Sequence, residues 1–178
     1  MEKIPKVVCI VGGRGDGFTR AARVLSKAIK RSGRTVGVLM LPQSTGGSGR
    51  KWIGGYRWNC DVIVATVDRV SECDYAMILS RFGACTNARR AVYDLSHQSF
   101  VGFDPPEGWI GIDCSRVARD ERVPSVHSLI LLGAMCRIAR LCELEDVKKA
   151  LLSEEGRLGA VSYRAVQAGW EEARRRGY

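Results

Sequence analysis

Five consecutive apolar residues at positions 7–11 run directly into a cluster of glycines, and an amphipathic segment follows. The apolar residues of that segment recur at helical spacing: Phe18, Ala21, Ala22, Leu25 and Ile29. This pattern predicts a buried strand, a glycine turn and a helix, the opening unit of a parallel α/β domain. Glycines suit such a turn because they adopt backbone angles that other residues resist and allow close approach. The free N–H groups of the first helical turn favour an anion.

The neighbouring residues weaken two nucleotide-binding interpretations of this turn. A phosphate-binding loop of NTPases needs Gly-Lys-Ser or Gly-Lys-Thr at the helix start, whereas residues 17–19 are Gly-Phe-Thr. An NAD site needs an acid at the end of the second strand, whereas the predicted strand over residues 35–41 is followed by Pro-Gln. We therefore expect the glycines to serve turn geometry and the approach of a ligand or subunit, with Asp16 capping the helix.

A second glycine-rich segment, residues 42–58, follows that strand. It holds five glycines, two tryptophans, a tyrosine and three cations, and it has no acid. Two interpretations stay open. The segment is a loop that becomes ordered on a partner or ligand, its rings supplying contact area and its cations meeting phosphate or carboxylate. Alternatively, it is a hairpin whose tryptophans fold back onto the core.

The remaining segments predict an alternation of strands and helices. Gly33 is expected to end the first helix. Further strands are predicted at 60–68, 74–80, 99–104 and 109–114. Helices are predicted at 86–95, 126–141, 145–155 and 162–176, and Ser115 is expected to be the N-cap of an additional short helix. Continuous apolar strands indicate burial on both faces. The sequence thus predicts one α/β domain over residues 1–178, with a three-layer, mainly parallel sheet flanked by helices and a Rossmann-like topology.

The cysteines and the apolar runs limit the class of protein. Seven cysteines never form a Cys-x-x-Cys pair, and the chain starts with a basic, non-hydrophobic segment. We therefore expect reduced thiols in a cytoplasmic protein, without an iron–sulfur or zinc site on this chain. The longest apolar run is too short and too interrupted to span a bilayer, so no membrane association is expected.

Positive charge is concentrated at the start of the chain. Residues 1–57 hold 12 Lys and Arg against Glu2 and Asp16, whereas the remaining residues nearly balance. Six cations lie on or just after the first helix: Arg20, Arg23, Lys27, Lys30, Arg31 and Arg34. We expect most of them to form a solvated helix face. The alternative is a surface for an acidic subunit, a phosphate-bearing ligand or nucleic acid.

Several short motifs occur in a recognisable order. Residues 12–17 are Gly-Gly-Arg-Gly-Asp-Gly, Asp74 opens an apolar strand, residues 131–134 are Leu-Leu-Gly-Ala, and residues 165–169 are Ala-x-x-Ala-Gly. In this order the chain resembles the gamma subunit of 2-oxoacid:ferredoxin oxidoreductases, the pyruvate/ketoisovalerate oxidoreductase gamma domain that also occurs in the indolepyruvate enzyme. The resemblance covers nearly the whole chain, and the two glycine loops diverge from the sequence usual in the family.

The resemblance implies a subunit of a larger enzyme that oxidatively decarboxylates a 2-oxoacid to an acyl-CoA and passes electrons to ferredoxin. Thiamine diphosphate, Mg, 4Fe-4S clusters and CoA are expected in the complex. None of these cofactors is expected on this chain. The expected partners are alpha, beta and ferredoxin-like subunits. No activity is expected from the chain alone, for which a homodimer is an open alternative.

Binding contacts are expected from the two glycine loops. Both loops follow predicted strands at their carboxyl ends, the edge at which parallel sheets bind ligands, so they are expected to converge on one anionic group such as a CoA phosphate or a partner carboxylate. The candidate contact residues are Gly12, Gly13, Arg14, Gly15 and Gly17 in the first loop and Thr45, Gly46, Gly47 and Arg50 in the second.

No catalytic set is evident from spacing alone. The two histidines are His97, in a polar turn, and His127, in an apolar helix where a hydrogen-bonded core role is expected. A stand-alone module that uses the basic N-terminal third and the aromatic loop to bind nucleic acid or a phosphate ligand is the competing function. An independent NAD-dependent enzyme is a third and weaker one.

Overall fold

A computed structural model describes residues 6–12, 15–40, 60–67, 73–80 and 88–178. Within them, six parallel strands form one sheet in the order β2-β3-β1-β4-β5-β6. The strands are β1 Lys6–Val11, β2 Val36–Met40, β3 Val62–Val67, β4 Cys73–Ile78, β5 Ala88–Asp94 and β6 Trp109–Ile112. The helices are α1 Phe18–Arg31, α2 Cys114–Asp120, α3 His127–Ala139, α4 Leu144–Glu155 and α5 Leu158–Arg175.

The centre of the sheet is β1, which pairs with β3 on one side and β4 on the other. Its residues 8–11 are buried, as the continuous apolar run predicts. The chain fills one half of the sheet with β2 and β3 and then crosses over to β4, β5 and β6. The strand order therefore reverses between β1 and β4, and open parallel sheets bind ligands at the carboxyl ends of the strands beside such a reversal.

Four of the helices in the described ranges form two layers on one face of this sheet. The inner layer consists of α1, which packs on β1, β2 and β3, and α3, which packs on β4 and β5. The outer layer consists of α4 and α5, which make their main contacts with α1, with α3 and with each other. The predicted three-layer α/β class with a parallel sheet is thus confirmed. Gly33 ends α1 with a left-handed backbone, also as predicted.

An aromatic cluster covers part of the opposite face of the sheet. Tyr93 of β5 packs against Phe100 and Phe103, with ring centroids 4.8 and 5.8 Å apart, and Phe103 also packs on Trp109. Phe100 belongs to a short 3₁₀ helix, Gln98–Phe100. These rings bury the side chains on this face of β5.

Three predicted elements were wrong. Residues 86–95 were expected to form a helix, but the described part of this segment is β5, because parallel pairing with β4 and β6 outweighs the helix propensity of its alanines and arginines. Residues 99–104 form a turn rather than a strand. Asp113, not Ser115, caps α2, since its carboxylate accepts a hydrogen bond of 2.9 Å from the Arg116 N–H.

Two glycines allow α3 and α5 to touch along their backbones. A Cβ added at Gly133 of α3 would lie 1.9 Å from the carbonyl oxygen of Val166, and one at Gly169 of α5 would lie 1.8 Å from that of Ile130. No side chain fits at either position, so the crossing depends on both glycines. Both belong to the motifs that carry the sequence resemblance.

We expect Gly133→Ala to lower the free energy of unfolding by roughly 3 kcal/mol, because the added methyl forces α3 and α5 apart in a packed core. Urea denaturation followed by circular dichroism measures the change. The control is Gly102→Ala, where the added Cβ meets open space and the cost is that of a left-handed backbone, about 1 kcal/mol. Equal stability of Gly133→Ala and the wild type would contradict the proposed crossing.

Candidate functional site

The amino ends of α1 and α3 meet beside the carboxyl ends of β1, β4 and β5. Gly17 is the N-cap of α1, with φ 76° in the left-handed region, and a Cβ added there would lie 2.8 Å from Ser128 Oγ of α3. Both the backbone angle and the lack of space therefore require glycine. This contact places the first glycine loop directly against the start of α3.

Asp16 connects the first loop to the end of β4. Its carboxylate accepts a hydrogen bond of 2.6 Å from the Ser80 hydroxyl, just beyond the last residue of β4. The N-cap position of α1 belongs to Gly17 rather than to Asp16. The Asp16 carboxylate thus bridges the carboxyl ends of two neighbouring strands.

A chain of hydrogen bonds links three polar side chains at the same end of the sheet. Asp94, the last residue of β5, is 1% exposed, and its carboxylate lies 2.6 Å from Nδ1 of His127 at the start of α3. The other ring nitrogen, Nε2, lies 3.1 Å from Oγ of Ser125. Ser96 donates its N–H and its hydroxyl to Asp94, at 3.0 and 2.6 Å. The carboxylate, the imidazole and the hydroxyl thus form one continuous series.

The partners of Asp94 and His127 shift the pKa of both groups. Burial opposes ionisation of Asp94, but hydrogen bonds from His127 and Ser96 outweigh it and hold the pKa of the carboxyl below its ordinary value. The hydrogen bond to Asp94 raises the pKa of His127 against the opposing effect of burial. An ionised Asp94 therefore faces an imidazole whose protonated form is stabilised.

Two adjoining cavities open beside these groups. The smaller one, about 510 Å³, is lined by the first loop, the start of α3 and the turn after β5, including Asp94, His97, Ser125 and His127. The larger one, about 860 Å³, extends over α1 towards the end of α4 and the start of α5. Arg20 and the loop glycines Gly15 and Gly17 line both cavities.

Three cations on or just after α1 form ion pairs or hydrogen bonds with neighbouring elements. Arg20 forms a fork of 2.6 and 2.7 Å with Glu155 and holds the pKa of that carboxyl below its ordinary value. Lys27 pairs with Glu154, and Arg34 donates to the carbonyl oxygens that follow α3. These contacts support a structural role for these three cations, and they leave less free positive charge for nucleic acid.

The predicted contact residues are only partly described. Gly12 lies at the carboxyl end of β1, and Gly15 and Gly17 line the cavities beside it. The remaining candidates lie outside the described residues: Gly13, Arg14, Thr45, Gly46, Gly47 and Arg50. Convergence of the two loops therefore remains a prediction.

Spacing alone did not identify the series formed by Asp94, His127 and Ser125. Asp94 and His127 are 33 positions apart, and Asp94 was placed inside a predicted helix rather than at a strand end. Two short sequences could have indicated a polar site here: the Ser-His pair shortly after β5 and the Pro-Ser-x-His sequence at the start of α3. The hydrogen-bonded role expected for His127 is confirmed, although its side chain is 29% exposed.

The described residues contain neither a metal-binding group of side chains nor a membrane-spanning helix. Among these residues, no group of three or more His, Cys, Asp or Glu side chains is arranged to hold a metal ion. No helix within the described ranges is long and apolar enough to cross a membrane.

Comparisons with known proteins yield matches through structure alone. No protein family model matches the sequence, and no curated protein matches it. The fold is similar to the gamma subunit of a keto/oxoacid ferredoxin oxidoreductase from Geobacter sulfurreducens, with a TM-score of 0.63, 18% identity, and coverage of 97% of this chain and 99% of that one. It is also similar to the pyruvate oxidoreductase subunit PORC from Thermotoga maritima, with a TM-score of 0.57, 16% identity, and coverage of 91% and 93%.

A third similar structure is a 2-oxoglutarate:ferredoxin oxidoreductase from Magnetococcus marinus with 2-oxoglutarate, coenzyme A and succinyl-CoA bound. The TM-score is 0.59 at 16% identity, and the match covers 93% of this chain but 30% of that longer one. The predicted resemblance to these gamma subunits is confirmed at the level of the fold.

We expect the stability difference between the wild type and His127→Gln to depend on pH. The lowered pKa of Asp94 adds stability above the ordinary carboxyl pKa, and the raised pKa of His127 adds stability below the ordinary imidazole pKa. The difference should be largest between about pH 4 and 6.5 and should shrink as His127 loses its proton at higher pH.

Urea unfolding measured from pH 4 to 9 checks this expectation. Lys30→Gln, an exposed substitution on α1, is the control and should change stability little over the same range. A difference for His127→Gln that stays constant with pH would refute the ion pair.

Proposed function

We propose that this chain is a gamma-type subunit of a 2-oxoacid:ferredoxin oxidoreductase. The single observation that carries the proposal is a structural match to a gamma subunit that covers 97% of this chain and 99% of the other. A match of this extent includes the two outer helices as well as the parallel sheet and its inner helices. It therefore favours a whole subunit of this type over a chain that shares only a strand-turn-helix motif.

In this proposal the chain supplies docking surface while partner chains carry the reactive groups. The cysteines Cys9, Cys73, Cys114 and Cys136 are buried in the core. Burial raises the pKa of the Cys114 thiol, and the hydrogen bond with Cys142, together with burial, raises the pKa of the Cys136 thiol. Such thiols are poor cluster ligands, because a cluster binds the deprotonated form. We therefore assign thiamine diphosphate, Mg and the 4Fe-4S clusters to the alpha, beta and ferredoxin-like subunits.

The first loop is the proposed contact region on this chain. Gly12, Gly15 and Gly17 lie at the reversal of strand order, where the first-turn N–H groups of α1 lack acceptors within the helix. We propose that this loop and the second loop bind an anionic group, such as a CoA phosphate or a carboxylate of a partner subunit. Arg14 and Arg50 are the charged residues assigned to that contact.

We expect the tagged chain to be isolated with partner subunits when it is purified without oxygen from its native source. The co-eluting material should contain thiamine diphosphate and acid-labile sulfide, and it should reduce viologen when supplied with CoA and a 2-oxoacid. A panel of pyruvate, ketoisovalerate, indolepyruvate and 2-oxoglutarate identifies the substrate.

Loop variants test the contact residues in the same preparation. Arg14→Ala and Arg50→Ala should weaken association or raise the KM for CoA about tenfold, which corresponds to one lost charged contact. Lys30→Ala on the exposed side of α1 is the matched control and should behave as the wild type. A chain isolated alone, without thiamine or iron–sulfur signals, would overturn the proposed function.

A further inference from the structure

The series formed by Asp94, His127 and Ser125 has the order of groups that activates a serine hydroxyl. Asp94 lies 2.6 Å from Nδ1 of His127, and Nε2 lies 3.1 Å from Ser125 Oγ. An ionised carboxylate can only accept hydrogen bonds, so Nδ1 of His127 must carry the proton that it donates to Asp94. In the neutral ring the lone pair is then on Nε2. Nε2 then faces the hydroxyl that it would deprotonate.

The surroundings give each group a suitable environment. Asp94 is buried and held by two hydrogen bonds from Ser96, so its position is fixed. Ser125 is exposed and lines the mouth of the smaller cavity, where a substrate can reach its oxygen. The start of α1 borders the same cavity through Gly17, and N–H groups at a helix start can stabilise a developing negative charge.

The geometry points to Ser125 as a nucleophile that accepts an acyl group from an activated ester or thioester, with His127 as its general base and Asp94 as the positioning residue. This activity would belong to the chain itself and does not rest on the proposed function. It differs from the expectation based on sequence spacing, which identifies no catalytic set on this chain.

The reaction proceeds in two balanced steps. Ser125 Oγ bonds to the acyl carbon while Nε2 of His127 takes the hydroxyl proton and then passes it to the departing alcohol or thiol. Water next attacks the acyl-serine with His127 again as base, which releases the carboxylic acid and restores the serine hydroxyl. No electrons are transferred to or from an external acceptor. The cavity of about 510 Å³ has room for the acyl group of such a substrate.

The first test measures covalent labelling of the full chain by a fluorophosphonate, which reacts with activated serines. We expect one adduct per chain by intact-protein mass spectrometry, located on Ser125 by peptide mapping. Ser125→Ala should lose the adduct, and His127→Gln should slow labelling about 100-fold. Ser153→Ala, an exposed serine on α4, is the matched control and should label at the wild-type rate.

The second test separates the two substrate classes. Hydrolysis of p-nitrophenyl acetate reports ester cleavage, and release of free thiol from acetyl-CoA reports thioester cleavage. Activity on either compound that depends on both Ser125 and His127 supports the inference and identifies the class. Activity that Ser125→Ala leaves unchanged comes from other groups and overturns it.

The pH profile tests whether Asp94 acts through His127. The labelling rate should increase as His127 loses its proton. The charged and titratable groups around His127 are Asp94, Asp113, Asp16, His97 and Arg20. Asp94→Asn should slow labelling and move this pH midpoint downwards, because the carboxylate no longer favours the protonated ring. Thermal unfolding verifies that the variants fold. The inference fails if the folded wild type is not labelled on Ser125 at pH 8.5, or if labelling is insensitive to His127→Gln.

Discussion

The backbone contact between α3 and α5 is the constraint on which the arrangement of the helices depends. Gly133 and Gly169 each face a carbonyl oxygen of the other helix at a distance that excludes any side chain. The contact presses α3 onto β4 and β5, and α3 is buried by the sheet on one side and by α5 on the other. The first residue of α3 then lies at the carboxyl end of β5, where His127 reaches Asp94. Packing at the middle of α3 thereby positions the histidine at its start.

Much of this fold could be predicted from local patterns. The strand, glycine turn and helix at the start of the chain follow from apolar periodicity, and so do the central strands and the long buried helix. Prediction failed at β5, where residues 88–91 are Ala-Arg-Arg-Ala and strand formation depends on pairing with β4 and β6. That error also concealed the site, since an aspartate inside a helix would not meet a histidine 33 residues later. Residues brought together by tertiary structure leave no regular spacing to detect.

Several positive side chains in the first third of the chain have partners within the folded protein. The sequence places six cations on or near α1, but Arg20 and Lys27 face the carboxylates of α4, and Arg34 meets the carbonyl end of α3. The two ion pairs with α4 join the inner and outer helix layers and reduce the positive field along one side of α1. Basic composition alone therefore overstates the case for nucleic acid, because these three cations serve contacts between packed elements of the same chain.

The contact between Gly17 and Ser128 has a consequence for the two cavities. A side chain at position 17 would meet Ser128 Oγ at 2.8 Å, so the first turn of α1 lies close against the first turn of α3. Gly15, Gly17 and Arg20 line both cavities. The cavities therefore share one wall, and a molecule bound in either one would touch the same short stretch of chain.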